Sequence, residues 1–201
     1  VRGGGRYEPK KRIGISHFVE HMLFKGTKHR STKQIKQDVE GVGGMMNAFT
    51  SEESTCYFVK IPKAHFKLAF DVLQDMVNHA TLEQKEFDKE KTVILEEIKM
   101  YLDLPAQHVH ELMSELLWPN QPLGRSVAGT IESVSGLRRG DIAEHVRSYY
   151  RPNHILITAC GEVDHPAVKS LAEERFDGGR PVSSPRFERA SVSGSLRHKR
   201  F

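Results

Sequence analysis

Cysteine is nearly absent: there are two in 201 residues, Cys56 and Cys160, far apart and in no CxxC pair. That excludes a disulfide framework, and both read as small core residues of a chain kept reduced. Tryptophan occurs once, and aromatics make up only 8 %. No apolar run approaches the roughly 18 residues that a membrane span requires. A strong excess of one charge sign is missing too. Thirty Lys and Arg stand against 26 Asp and Glu, and much of the net +4 sits at the two ends, in Lys10-Lys11-Arg12 and Arg197–Arg200. A nucleic-acid groove, with clustered basic residues and stacking aromatics, is not expected. Val1–Arg12 holds no apolar segment of a secretory signal. Together with the reduced cysteines this points to a bacterial cytoplasm or, alternatively, a mitochondrial matrix.

What is present is enough chain for one domain with a real core. Residues 1–12 read as the end of a strand plus a loop. Gly14–Lys25 is apolar on nearly every side, which marks a buried helix, and Gly26 stops it. Thr32 is positioned to cap a short helix that ends at Gly41. Met45–Thr50 and Thr55–Ile61 read as a hairpin. Helical spacing then runs through Phe66–Val77. A second helix, starting from a Thr81–Gln84 capping box, reaches about Leu102, and a third covers Gln107–Leu117. Residues 118–139 are rich in turns. Asp141–Tyr150 and Pro166–Phe176 read as helices, with a continuous apolar strand at His154–Val163 between them. Hairpins among alternating helices favour an α+β fold with a mixed, largely antiparallel sheet and helices packed on it.

The chemistry concentrates in His17-Phe18-Val19-Glu20-His21. On a helix His17 and His21 lie one turn apart on one face, and Glu20 borders that face. Isolated histidines on helices are usually surface or core residues. Here, however, three ionisable groups share one side of a buried helix, which costs desolvation unless a cation pairs them. Two imidazoles can reach one metal ion, with a carboxylate near a water held by that metal. A third ligand must come from elsewhere. On the helix to Leu102, Phe87, Glu90, Ile94, Glu97 and Tyr101 form one stripe, flanked by Val93 and Ile98. Lys89, Thr92, Glu96, Lys99 and Asp103 form the opposite one. Glu97 therefore points inward and Glu96 does not. Glu90 shares the inner side, where it could also simply pair with a lysine. His108 and His110, two apart, face different sides and read as structural.

HxxEH is the inverted zinc motif of the inverzincins. The strings GISHFVEHMLFKGT, GGMMNAFTSEESTCYF, EKTVILEEIKMYLDLP and QPLGRSVAGT, in this order, resemble the pitrilysin, insulin-degrading enzyme and mitochondrial processing peptidase family, most closely its processing-peptidase branch. The resemblance covers about Tyr7 to Gly179. It implies a zinc metalloendopeptidase with one Zn2+ per chain. His17, His21 and Glu97 would be the ligands, Glu20 the base that activates water, and Glu90 a supporting carboxylate. Asn47, Ala48, Phe49 and Thr50 would form an edge strand that takes up extended peptide. The implied substrates are peptides or unfolded protein. The family carries two such modules, and the second supplies an Arg-Tyr pair that aids the substrate carbonyl. The strings match only the first, zinc-bearing module. Residues 1–179 are thus expected to be that module with its first strand truncated, and 180–201 a linker toward a second module or subunit. A non-catalytic subunit that holds zinc or peptide for a partner chain is the competing expectation. A closed structural zinc site fits poorly, because such sites are rich in Cys.

Overall fold

The computed structural model describes residues 1–176 and, beyond them, 183, 185–187 and 189–191. The architecture is α+β, organised around one central helix. That helix, α1 (Ile15–Leu23), buries Ile15, Phe18, Val19, Met22 and Leu23. It has no side-chain cap of its own and enters through Gly14 at φ 91°. A Cβ at Gly14 would lie 2.6 Å from the Ala128 carbonyl oxygen, so both the backbone conformation and the space demand glycine.

The next helix, α2 (Thr32–Glu40), is capped by Ser31 rather than Thr32. The reciprocal box needs its Gln three residues on, and Gln34 stands three from Ser31. Strands β1 (Met45–Thr50) and β2 (Thr55–Lys60) pair antiparallel, with Met45 opposite Lys60 and Thr50 opposite Thr55. Among the described residues this hairpin is the whole sheet. The helices α3 (Phe66–His79), α4 (Gln84–Leu102) and α5 (Pro105–Leu117) follow. The Thr81 cap does not form, because Thr81 donates its N–H and hydroxyl to the Gly26 carbonyl instead. Leu82 then turns through φ 50°, and α4 begins after Glu83.

The stretch expected to be only turns contains a short helix, α6 (Ile131–Gly136), capped by a Thr130–Ser133 box. Two more helices, α7 (Arg139–Tyr149) and α8 (His165–Arg175), close the described body. In the core, Phe18 of α1 stacks on Phe87 of α4 with ring centroids 4.8 Å apart. Helices α4 and α7 and the hairpin all pack on α1.

Three further expectations need correction. His154–Val163 forms no strand. Among the described residues no neighbouring strand offers it a ladder, and Leu156 is 83 % exposed. Apolar content gives strand propensity, but a strand exists only where a partner accepts its hydrogen bonds. Residues 1–12 hold one isolated bridge, Arg2 to Ser54, and two single turns of 3₁₀ helix rather than a strand end. Neither cysteine is core: Cys56 is half-buried and Cys160 exposed. The boundary at 179 and most of 180–201 lie outside the described residues. Of those described there, Phe187 packs edge-on against Tyr7, at 5.3 Å between centroids.

Candidate metal centre

The HxxEH segment is helical and faces α4, as its spacing required. The Nε2 atoms of His17 and His21 lie 3.9 and 3.6 Å from Oε2 of Glu97. The two imidazole rings stand nearly perpendicular, 4.7 Å apart. These three side chains form one of two groups, among the described residues, whose donor atoms converge closely enough to hold a metal. On α4 Glu90 and Ile94 are buried and Glu97 is half-buried, whereas Glu96 is exposed and paired with Lys99. Val93, expected beside the inner stripe, is exposed.

Two of the three donors are held by a neighbour, while the buried Nδ1 of His17 has no hydrogen-bond partner among the described residues. His21 Nδ1 lies 3.1 Å from Glu90 Oε2, which turns Nε2 toward Glu97. Glu90 is also paired with Lys25 at 2.7 Å, so it serves both the lysine and the histidine. Burial opposes its charge, but the hydrogen bonds from His21 and Lys25 outweigh burial and hold it below the usual carboxylate range. The Tyr101 hydroxyl donates to Glu97 Oε1 at 2.8 Å, leaving Oε2 for the centre. That bond, with burial behind it, pushes the Tyr101 phenol up to about 12. Burial pushes His17 down to about 4, reinforced by His21 and opposed by Glu97. The ring is therefore neutral near pH 7, the form that binds metal.

Zinc is the ion that the motif implies, and the donor set fits it. Separations of 3.6 and 3.9 Å are too long for hydrogen bonds. They suit neighbouring ligands on a tetrahedral ion, about 3.4 Å apart for bonds near 2.1 Å. Two imidazoles and one carboxylate leave a position open, as catalytic zinc sites do.

Glu20 borders the cluster and is not one of its three donors. Its Oε2 accepts the Thr50 hydroxyl at 2.6 Å. Burial raises its carboxyl, and the Thr50 bond pulls only part of the way back. The end of β1 is thereby tied to the centre. Along β1, Asn47 and Phe49 are exposed and Ala48 and Thr50 half-buried, and Asn47 Oδ1 accepts the Ala48 N–H at 2.8 Å. Among the described residues no strand covers the other edge of β1.

Sequence reasoning missed Glu8. It is buried, and its two carboxylate oxygens accept the N–H groups of Gly14 and Ser16 at 2.7 and 2.8 Å. It thus caps the helix that carries His17 and His21. The signal was available: a buried helix entered from glycine has no Ser, Thr or Asp to take its first amides. Lys25 was also missed, as was the role of Thr50 toward Glu20.

Comparison with known proteins identifies the family. The family model of the insulinases (peptidase family M16) matches residues 1–131. An uncharacterized zinc protease, YmxG of Bacillus subtilis, is 40 % identical over 168 residues, 84 % of this chain and 41 % of that protein. The mitochondrial-processing peptidase subunit beta of Saccharomyces cerevisiae is 32 % identical over 196 residues, 92 % of this chain and 42 % of that one. A protease from Helicobacter pylori shares the fold at a TM-score of 0.88 and 22 % identity, over 96 % of this chain and 47 % of its own. The chain therefore spans less than half the length of these relatives. On the family match and the identity to the zinc proteases together, it belongs to the insulinase family of peptidases, M16.

Proposed function

We propose that this chain is the zinc-bearing module of a metalloendopeptidase that cuts extended peptides. The observation that carries the proposal is the convergence of His17, His21 and Glu97 beside a carboxylate that is not a ligand. His17, His21 and Glu97 would hold the ion. Bound zinc supplies positive charge that acidifies water and polarises the scissile carbonyl. Glu90 fixes the tautomer of His21 and so keeps its Nε2 lone pair directed inward. Glu20 takes the proton from the attacking water and returns it to the leaving amine. Its raised affinity for protons suits a group that must accept one and then release it.

Substrate enters along β1. An extended peptide laid on the free edge at Asn47–Thr50 would use backbone hydrogen bonds, which are largely indifferent to sequence. Because Thr50 is bonded to Glu20, that peptide is led to the base. The relatives are more than twice as long as the match, which supports a second module or subunit that completes the substrate chamber. The same fact favours the other reading, a subunit that holds zinc or peptide and cleaves only with its partner.

The test is hydrolysis of a quenched-fluorescent, extended basic peptide by the zinc-loaded chain, beside Glu20→Gln and a chelator-treated sample. Cleavage lost in both controls is the expected result. No cleavage with zinc still bound at His17 and His21 would select the partner-dependent reading. Cleavage that survives chelation would overturn both.

A further inference from the structure

The loop that follows α1 is pinned to the C-terminal end of α3. Thr27 bridges Ala80, and the Lys28 N–H bonds the His79 carbonyl at 3.0 Å. The Thr27 hydroxyl donates to Asp75 Oδ2 at 2.6 Å and itself accepts the N–H groups of His29 and Arg30, at 3.1 and 2.8 Å. Arg30 Nη1 bonds the same Oδ2 at 2.9 Å. One carboxylate oxygen of the buried Asp75 is thus fully engaged, and the other is turned toward two imidazoles. His79, one helical turn on, has Nδ1 3.0 Å from Oδ1, and His29 has Nε2 4.0 Å from it. The two rings stand nearly perpendicular, 5.0 Å apart. One donor atom from each residue lies within 4.8 Å of the others.

We infer that His29, Asp75 and His79 form a second metal site, for a divalent ion of the zinc class. Two imidazoles and a carboxylate are the same donors as at His17, His21 and Glu97, and they suit zinc, cobalt or nickel better than calcium or magnesium. The ion takes the place of the direct His79–Asp75 hydrogen bond. Preorganisation is the second argument. The Thr27 hydroxyl and the Arg30 guanidinium fix Asp75, as outer partners fix metal-binding carboxylates. Burial opposes the Asp75 charge, yet the bonds from Thr27 and Arg30 outweigh it, so the ligand stays ionised. Charge is the third. Among the described residues, Asp38, Asp71 and Asp75 pair with two guanidiniums, Arg30 and Arg175, so a cation meets a net negative surrounding. The donors line an open cavity of about 440 Å³, which leaves room for water on the remaining positions. Among the described residues, the carboxylates beside this cluster, Asp38 and Asp71, are committed to the Arg30 guanidinium, whereas Glu20 beside the first accepts a neutral hydroxyl, that of Thr50. The ion is therefore a clasp between the loop and α3, with no part in hydrolysis.

Equilibrium dialysis against zinc, with metal counted per chain, tests the site independently of the first one. The wild-type chain is expected to hold two ions and the His17→Ala/His21→Ala chain one. On that background His29→Ala or His79→Gln should weaken the remaining ion by about tenfold or more. His29 is largely exposed, so its replacement leaves the fold intact, and circular dichroism checks this. Cobalt in place of zinc should give the double variant a visible spectrum that His29→Ala abolishes. If the His17→Ala/His21→Ala chain binds no ion even at millimolar zinc, or binds one that neither substitution weakens, the site does not exist.

Discussion

On α1 two imidazoles one turn apart meet a carboxylate from α4. On α3 a carboxylate and an imidazole one turn apart meet an imidazole from a loop. Both clusters present two nitrogens and an oxygen within 4.8 Å of one another. Their surroundings differ. The first has half-buried donors, a second carboxylate in Glu20 with raised proton affinity, and a strand edge that ends at Thr50. The second has an exposed His29, and the Arg30 guanidinium engages both Asp38 and Asp71 beside it. Donor type decides which ion can bind. The carboxylate left over beside the donors decides whether that ion can be used for chemistry.

The comparison breaks most visibly at Glu20. Glu20→Gln should lower peptide hydrolysis by about 10²–10⁴-fold while zinc content stays unchanged. Measured turnover beside metal stoichiometry checks this. Persistent activity would mean that this carboxylate is not what separates the two clusters.

Next in size is the ligand itself. Glu97→Gln should weaken zinc by more than about 100-fold, beyond the loss typical of outer partners. Glu96→Gln should change nothing, since Glu96 is exposed and bonds Lys99. Competition with a chromophoric chelator reads both, and equal behaviour would refute the facing of α4. Glu90→Gln falls between them, at about 10–100-fold, because it disturbs the group that orients His21.

The two clusters also differ in how visible they were. His17, Glu20 and His21 sit within one helical turn, and Glu97 falls on the inner stripe of α4 together with Glu90, so local periodicity placed them and the family resemblance assigned their roles. His29 is fifty residues from His79 in a loop whose path is set by Thr27, Asp75 and Arg30. Only the Asp75–His79 spacing was local, and such pairs are common on helix surfaces. The strand expected at His154–Val163 failed for a related reason. Its apolar residues were legible, but a ladder partner is a non-local fact. The Thr81 box failed because a distant carbonyl, that of Gly26, took the hydroxyl first.

The smallest effect concerns how firmly the first cluster is mounted. Glu8 caps α1 from inside the core, whereas the loop of the second cluster is held by an ion network around Arg30. Burial raises the Glu8 carboxyl from 4.5 to about 7, against the amides of Ser16 and Gly14 and the charge of Arg125. The folded chain therefore holds this proton more tightly than the unfolded chain. The stabilisation it contributes is fully present below the unfolded value near 4.5, and it is lost as pH rises through about 7. Urea unfolding of the wild type should show stability falling across that window by about 1–3 kcal/mol from this group. Glu8→Gln should remove the slope. It should also cost about 1–3 kcal/mol at low pH, because one amide of α1 would then face an N–H instead of an oxygen. A slope that survives the substitution would place the titration elsewhere. It would also leave the capping of α1 as the only role of Glu8.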